Sequence, residues 1–176
     1  MNKIITPRFL FVVAMIVIAA FSRIVIHIPN ITPVFALALF GGAYINKKSL
    51  AFLIPLVAMF ISDAFIGFYS QIYMIYISII ASVLIGIYLR RKVSVATVFG
   101  ASLASSVVFF ILSNFAVWIS GVGIANYPMN IQGFMLCYTE AIPFFGYEAI
   151  GTLIYTSVFF GVFNIVTSKY PTLAKI

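Results

Sequence analysis

Four charged residues stand inside or beside long apolar segments, away from the other charges of the chain. They are Arg23 and all three acids, Asp63, Glu140 and Glu148. A charge at membrane depth costs several kcal/mol unless it is paired or faces a polar cavity. A guanidinium and carboxylates at such positions can bind each other or a polar ligand, so they indicate either an internal ion pair or a binding site.

Arg23 and Asp63 are expected at similar depth on two different helices. Arg23 follows Arg8 by 15 residues and Asp63 follows Ser49 by 14 residues, which gives helical rises of about 22 Å and about 21 Å. We predict that the two side chains pair or flank one polar cavity. In the alternative interpretation, Arg23 extends to the outer headgroups and Asp63 caps a loop.

Further candidate binding residues adjoin this pair. His27 lies one helical turn beyond Arg23 and shares its face, so it is either a ligand-binding residue or a satisfied interfacial one. Asn30 lies in the short connection that follows. Glu148 opens the last apolar segment, where the helix dipole alone also favours a carboxylate.

The remaining candidates lie near the one long connection, residues 120–147. Connections of this length without structure of their own are uncommon and tend to be functional. Its middle, residues 134–142, is apolar enough for a short interfacial or re-entrant helix. Cys137 could be a soft ligand for a cobalt cofactor or simply a small buried thiol. The candidate pocket residues here are Asn114, Trp118, Tyr127, Tyr138 and Glu140.

The composition indicates what must position these residues. Of the 176 residues, 64% are hydrophobic and 7% are charged, whereas a soluble domain is about 45–50% apolar and about 25% charged. The chain is therefore predicted to be an all-α integral membrane protein with one domain, residues 1–176. Breaks at proline, glycine and charge clusters predict six transmembrane helices in one bundle: 8–27, 33–45, 49–68, 72–89, 95–120 and 147–168. The second is short and needs residues 28–32 to complete a crossing.

Small residues recur four positions apart in three of these segments, and this spacing permits close helix packing in lipid. The sets are Ala38 and Gly42; Ser78, Ser82 and Gly86; and Ala101 and Ser105 with Ser102 and Ser106.

The basic residues predict the topology. With six spans, nine of the ten fall on one side: Lys3, Arg8, Lys47, Lys48, Arg90, Arg91, Lys92, Lys169 and Lys175. The positive-inside rule makes that side the cytoplasm, with both termini inside. The first segment resembles a signal peptide, but the apolar segments after it favour a retained membrane helix. Helices rather than barrel strands predict an inner membrane and not an outer one.

Several classes of function find no support in the sequence. It has no phosphate-binding glycine loop, no His-Glu-x-x-His motif and no Gly-x-Ser-x-Gly elbow, and the only histidine has no evident serine partner. We therefore expect no enzyme, no ATPase and no resident cofactor. The single cysteine excludes an internal disulfide and a multi-cysteine metal site. The net charge of +7 comes from the ends of apolar segments, so we expect no nucleic-acid partner.

Seven strings spread over nearly the whole chain are distinctive. They are Ile28-Pro-Asn-Ile-Thr-Pro33, Ala36-Leu-Ala-Leu-Phe-Gly-Gly-Ala43, Ser62-Asp63-Ala-Phe-Ile-Gly67, Ser113-Asn-Phe-Ala-Val-Trp118, Tyr127-Pro128, Cys137-Tyr138 and Ala141-Ile-Pro-Phe-Phe145. Together they resemble a family of small bacterial membrane proteins of unknown function that are described as transport proteins.

The layout also resembles the substrate-binding S component of energy-coupling-factor (ECF) vitamin transporters. The resemblance implies six helices with both termini inside, a substrate under the loops after helices 1, 3 and 5, and inward release by helix rearrangement or toppling. It also implies a separate ATP-driven energising module. S components often dock that module through alanines four apart on the first helix. Ala14, Ala19 and Ala20 lack this spacing, so uptake without a module stays open.

Two functions follow from these observations. The first is an uptake component in the lipid bilayer that binds a small micronutrient (a vitamin, a cofactor precursor or a cobalamin-like molecule) from the outer side, with Arg23 and Asp63 as the polar floor of the pocket. The second is a non-transporting membrane subunit that scaffolds or regulates a partner protein, with the same pair as a structural clamp.

Overall fold

The structure, a computed structural model, describes residues 5–25, 30–68, 70–121 and 127–173. Within these ranges all regular structure is helical. The elements are α1 (Pro7–Val25), α2 (Val34–Tyr44), α3 (Lys48–Ile66), α4 (Ile72–Leu89), α5 (Val95–Ser120), α6 (Ile131–Lys169) and a 3-10 turn, Pro171–Leu173. The first five helices therefore lie where the sequence predicts them.

Five of the six helices are long and apolar enough to cross a membrane, and α2 is the exception. Large apolar side chains are exposed along all five, which indicates contact with a lipid bilayer. Their length and composition indicate a multi-pass membrane protein. The short helix α2 spans about 16 Å, and residues 26–29, part of the segment predicted to extend it, lie outside the described ranges.

The short helix α2 forms the centre of the bundle, since every residue from Val34 to Ala43 is buried. It packs on α4 through two glycines. A Cβ added to Gly42 would lie 3.0 Å from the Cα of Gly86, and the converse distance is also 3.0 Å. No side chain fits between these backbones, and the close packing predicted from the small residues is confirmed here.

Basic side chains gather at one end of the bundle. The guanidinium of Arg8 lies 5.6 Å from the ring centroid of Tyr44 and 5.7 Å from that of Phe163. At the same end Arg90 donates to three backbone carbonyls, those of Gly42, Ile45 and Asn46. The start of α1 and the ends of α2, α4 and α6 therefore meet at what we call the basic end.

The last helix departs most from the prediction. The helix α6 starts at Ile131 instead of residue 147, and it takes in the predicted separate helix 134–142 as well as Pro143. Asn130 caps its start by accepting from the Gly133 amide at 2.9 Å. A proline is tolerated inside a membrane helix, so Pro143 does not end α6. Its 39 residues span about 58 Å, more than the ~40–45 Å of a bilayer with headgroups. The first turns of α6 lie against the end of α5 that is away from the basic end.

Candidate functional site

An ion pair lies between α1 and α3. The guanidinium of Arg23 donates to Oδ1 of Asp63 and, at 3.0 Å, to Oγ of Ser62. The Tyr76 hydroxyl of α4 donates to Oδ2 of Asp63 at 2.9 Å. The carboxylate of Asp63 is fully buried, and both its oxygens have partners. The predicted pairing of Arg23 with Asp63 is thus present.

A separate cavity of about 160 Å³ lies against α5 and the middle of α6. Its lining combines four phenylalanine rings with a carboxylate, two amides and a hydroxyl: Phe109, Phe110, Phe144, Phe145, Glu148, Asn30, Asn114 and Ser113, with Ala141. Of the predicted site residues, Asn30, Asn114 and Glu148 come together here. The ion pair of Arg23 and Asp63 is not part of this lining.

Glu148 is the buried charge-bearing group of this cavity. Its Oε1 accepts from Thr152 Oγ1 at 2.7 Å and from Ser106 Oγ at 3.3 Å. Its Oε2 is buried without a hydrogen-bond partner among the described residues. A buried acceptor left unsatisfied costs about 1–3 kcal/mol, and more when it is charged. A ligand that brings a donor or a positive charge would remove that cost.

The two amides occupy the cavity wall in different ways. The side-chain NH₂ of Asn114 donates to the Phe110 carbonyl, one turn back on α5, at 2.7 Å, which fixes its orientation. Asn30 has a φ of 60°, a left-handed conformation that asparagine tolerates better than most residues. Both residues line the cavity together with the aromatic rings.

The remaining outer candidates lie outside the cavity lining, near the first turns of α6 and the adjoining end of α5. Their polar atoms bond within the protein: Trp118 Nε1 to the Pro128 carbonyl at 3.1 Å, Tyr138 OH to the Ile111 carbonyl at 2.7 Å, and Tyr127 OH to Glu140 at 2.6 Å. Trp118 and Tyr138 also pack on the Phe134 ring, with centroids 5.3 Å and 4.5 Å away. The hydrogen bond to the Glu140 carboxylate raises the pKa of Tyr127 to about 12.

Cys137 is buried, and its thiol lies 3.5 Å from the Asn114 carbonyl. In the part of the chain that the structure describes, no group of three His, Cys, Asp or Glu residues is placed to hold a metal ion. His27 lies outside the described ranges, so its predicted role stays a prediction.

Four side-chain partners of Arg23, Asp63 and Glu148 were not predicted from the sequence: Ser62, Tyr76, Ser106 and Thr152. Thr152 follows Glu148 by four residues on one helix, so the spacing alone could have indicated their contact. Tyr76 and Ser106 lie on other helices, and no spacing relates them to their carboxylates.

A family comparison covers the same stretch of chain. Residues 3–173 match the model of a family of unknown function, DUF6580. The chain belongs to this family. The DUF6580 match spans all six helices, in agreement with the predicted membership of a family of unknown function. No curated protein and no solved structure matches the chain.

Proposed function

We propose that this DUF6580 protein is an uptake component, not an enzyme, that binds a small micronutrient in the cavity between α5 and α6. The observation that carries the proposal is the Glu148 carboxylate, which is buried at the cavity wall with Oε2 unpartnered among the described residues. An ionisable group inside a membrane helix is expected to mark a functional site.

The lining suggests the chemistry of the ligand. A carboxylate among aromatic rings favours a cation or a strong hydrogen-bond donor, since ring faces also attract positive charge. Two amides and a hydroxyl can orient polar groups, and the four rings can stack on a planar one. No basic side chain is present among the lining residues named above. We therefore propose an amine-bearing or cationic heterocycle and not an anion.

The volume limits the size of the ligand. About 160 Å³ is below the ~300–1,000 Å³ of pockets for drug-sized molecules. A small vitamin or cofactor precursor fits this space, whereas a cobalamin-like molecule is far too large. The cobalamin alternative is therefore not part of the proposal.

The proposed orientation follows the charges. With the basic end in the cytoplasm, both termini lie inside, the chain resides in a bacterial inner membrane, and the cavity belongs to the outer half. We propose that this position corresponds to the substrate site of S components, which the sequence resemblance implies under the loops after helices 1, 3 and 5. Uptake would then be driven by a separate ATP-driven module or proceed without one.

Native mass spectrometry tests this proposal with a panel of amine-bearing vitamins, their precursors and corrinoids. We expect a saturable one-to-one adduct with a small heterocycle, lost in Glu148→Gln. A matched pair of variants probes the space: Ala141→Leu fills the cavity, while Ala104→Leu adds the same atoms at an exposed position of α5. Binding should disappear in the first variant and persist in the second. The proposal would be refuted if folded protein formed no adduct. It would also be refuted if an adduct formed and neither Glu148→Gln nor Ala141→Leu changed it.

The second candidate function is a non-transporting subunit. It is favoured by one observation, namely that the Arg23–Asp63 pair has both carboxylate oxygens partnered and lies away from the cavity. In that case Glu148→Gln would have no effect on function, and a partner protein would co-purify with the wild-type chain.

A further inference from the structure

Buried polar side chains are concentrated between two helices of this bundle. Among the described residues ten polar or charged side chains are buried, and six of them lie on adjoining stretches of α5 and α6: Ser102, Ser105, Ser106, Glu148, Thr152 and Thr156. The others belong to the ion pair and to the contact of α4 with α2. Such a concentration is unusual in a chain that is 64% hydrophobic.

Three of these six side chains have a polar atom without a hydrogen-bond partner within the described ranges: Ser105 Oγ, Glu148 Oε2 and Thr156 Oγ1. Nearly all buried polar atoms in proteins are satisfied, so each exception calls for an explanation. In a membrane, polar groups inside the bundle commonly mark the path of a solute.

A cavity lies at each end of this line of residues. Glu148 lines the outer cavity, while Ser102 and Thr156 line a groove of about 410 Å³ nearer the basic end. Thr156 follows Glu148 by eight residues, a rise of about 12 Å. We name Ser102, Ser106, Glu148, Thr152 and Thr156 the polar seam, since they connect the two cavities.

We propose that the polar seam is the route by which the ligand passes from the outer cavity to the inner groove when α5 and α6 move apart. This inference rests on the proposed function and deepens it, because it assigns a path and a substrate class. Hydroxyls and one carboxylate, with no basic group in the seam, suit a small neutral or cationic solute with hydrogen-bonding groups.

The helices of the bundle are bonded to one another at separate points. The ion pair joins α1 to α3, and Tyr76 adds α4. Backbone contact at Gly42 and Gly86 joins α2 to α4. At the outer end α6 is bonded to α5 by Tyr138 and Cys137, which donate to the carbonyls of Ile111 and Asn114. Across the polar seam, among the described residues, the hydrogen bond between the two helices is that of Ser106 with Glu148, at 3.3 Å, which is long for a hydroxyl donor.

Thiol accessibility tests the route without requiring the ligand. In a Cys137→Ala background, Ser106→Cys places a thiol in the middle of the seam and Ser82→Cys places one in the contact of α4 with α2. Both serines are fully buried, so the Ser82→Cys variant is a matched control for Ser106→Cys. The probe is the membrane-impermeant cation trimethylammonioethyl methanethiosulfonate, added to proteoliposomes. The Ser106→Cys thiol should react at least about tenfold faster than the Ser82→Cys thiol, because a buried thiol reacts only when the helices around it open locally. At Ser106→Cys an anionic sulfonatoethyl reagent should react more slowly than the cationic one.

Thr152→Cys serves as a second seam variant if Ser106→Cys does not fold. Equal reaction rates for the seam thiols and Ser82→Cys would overturn the route. The outcome separates the two proposals: a ligand adduct with an unreactive seam rejects the route and keeps the uptake function. A reactive seam without any adduct rejects the uptake function and leaves the seam as an aqueous path.

Discussion

Arg23 of α1 and Asp63 of α3 form an ion pair inside the bundle although 40 positions separate them in the sequence. The Arg23 side chain keeps 13% of its exposure and that of Asp63 keeps none. The Tyr76 hydroxyl completes the shell of the carboxylate. Because water is excluded, the removal of one partner leaves a charge that nothing else neutralises.

Replacing one member of the ion pair should therefore lower the free energy of unfolding more than replacing both members with apolar residues. Asp63→Asn is expected to lower the free energy of unfolding by about 3–5 kcal/mol, while Arg23→Met combined with Asp63→Leu should recover most of it. Tyr76→Phe, which removes one hydrogen bond to a charged group, should cost about 1.5–3 kcal/mol. Unfolding in mild detergent measures all four proteins. A double variant no more stable than Asp63→Asn would show that the unpaired charge is not the cause of the loss.

The glycine contact of α2 with α4 gives a second prediction. Gly86→Ala places a Cβ against the Leu39 carbonyl and the Gly42 backbone, and overpacking of this kind costs about 1–3 kcal/mol. Gly100 of α5 is exposed and has open space around an added Cβ. Gly100→Ala should thus stabilise by about 0.5–1 kcal/mol through helix propensity. Melting temperatures of the two variants check this, and a Gly86→Ala protein as stable as Gly100→Ala would refute it.

The sequence predicted helix ends well where charges or loop residues interrupt the apolar segments. Both bounds of α4 and of α5 are as predicted. The polar residues around 71 and the basic cluster 90–92 interrupt the apolar segments, and Gly121, with a φ of 61°, ends α5 in a left-handed conformation. The start of α6 was missed because Pro143 and Gly146 end helices in water, where solvent can take up the freed backbone groups. In apolar surroundings that competition is lost. The cap residue Asn130 was the usable signal.

The part of the candidate site that could be predicted is the level of each residue along its helix, because the helical rise per residue sets this level. Equal rises placed Arg23 and Asp63 at one level, and they do pair. Rotation of a helix about its axis is not encoded in such spacings, so Tyr76 was not found. Trp118 and Tyr138 do not line the cavity, and their polar atoms are bonded to backbone carbonyls. The reason is that α6 starts early, so that its first turns, which include Tyr138, pack beside Trp118 at the end of α5.

The bond between Tyr127 and Glu140 predicts an alkaline titration. The carboxylate holds the phenol proton and raises the pKa of Tyr127 to about 12, from about 10 in an unfolded chain. The stabilisation from this bond is therefore complete below about pH 10 and is lost as the pH rises through about 12. Tyrosinate absorbance, taken as wild type minus Tyr127→Phe, measures the pKa. In Glu140→Gln it should fall toward the ordinary value, and an unchanged pKa would show that Glu140 is not the cause.

Ser105 and Ser102 allow the cost of an unsatisfied hydroxyl to be measured within one helix. Both are fully buried on α5; Ser102 donates to the Val98 carbonyl at 2.9 Å, whereas Ser105 Oγ has no partner in the described part of the chain. Ser105→Ala should raise the free energy of unfolding by about 1 kcal/mol, since it removes an unpaired group, and Ser102→Ala should not raise it. A Ser105→Ala protein that is less stable than the wild type would show that the hydroxyl is bonded in the folded chain.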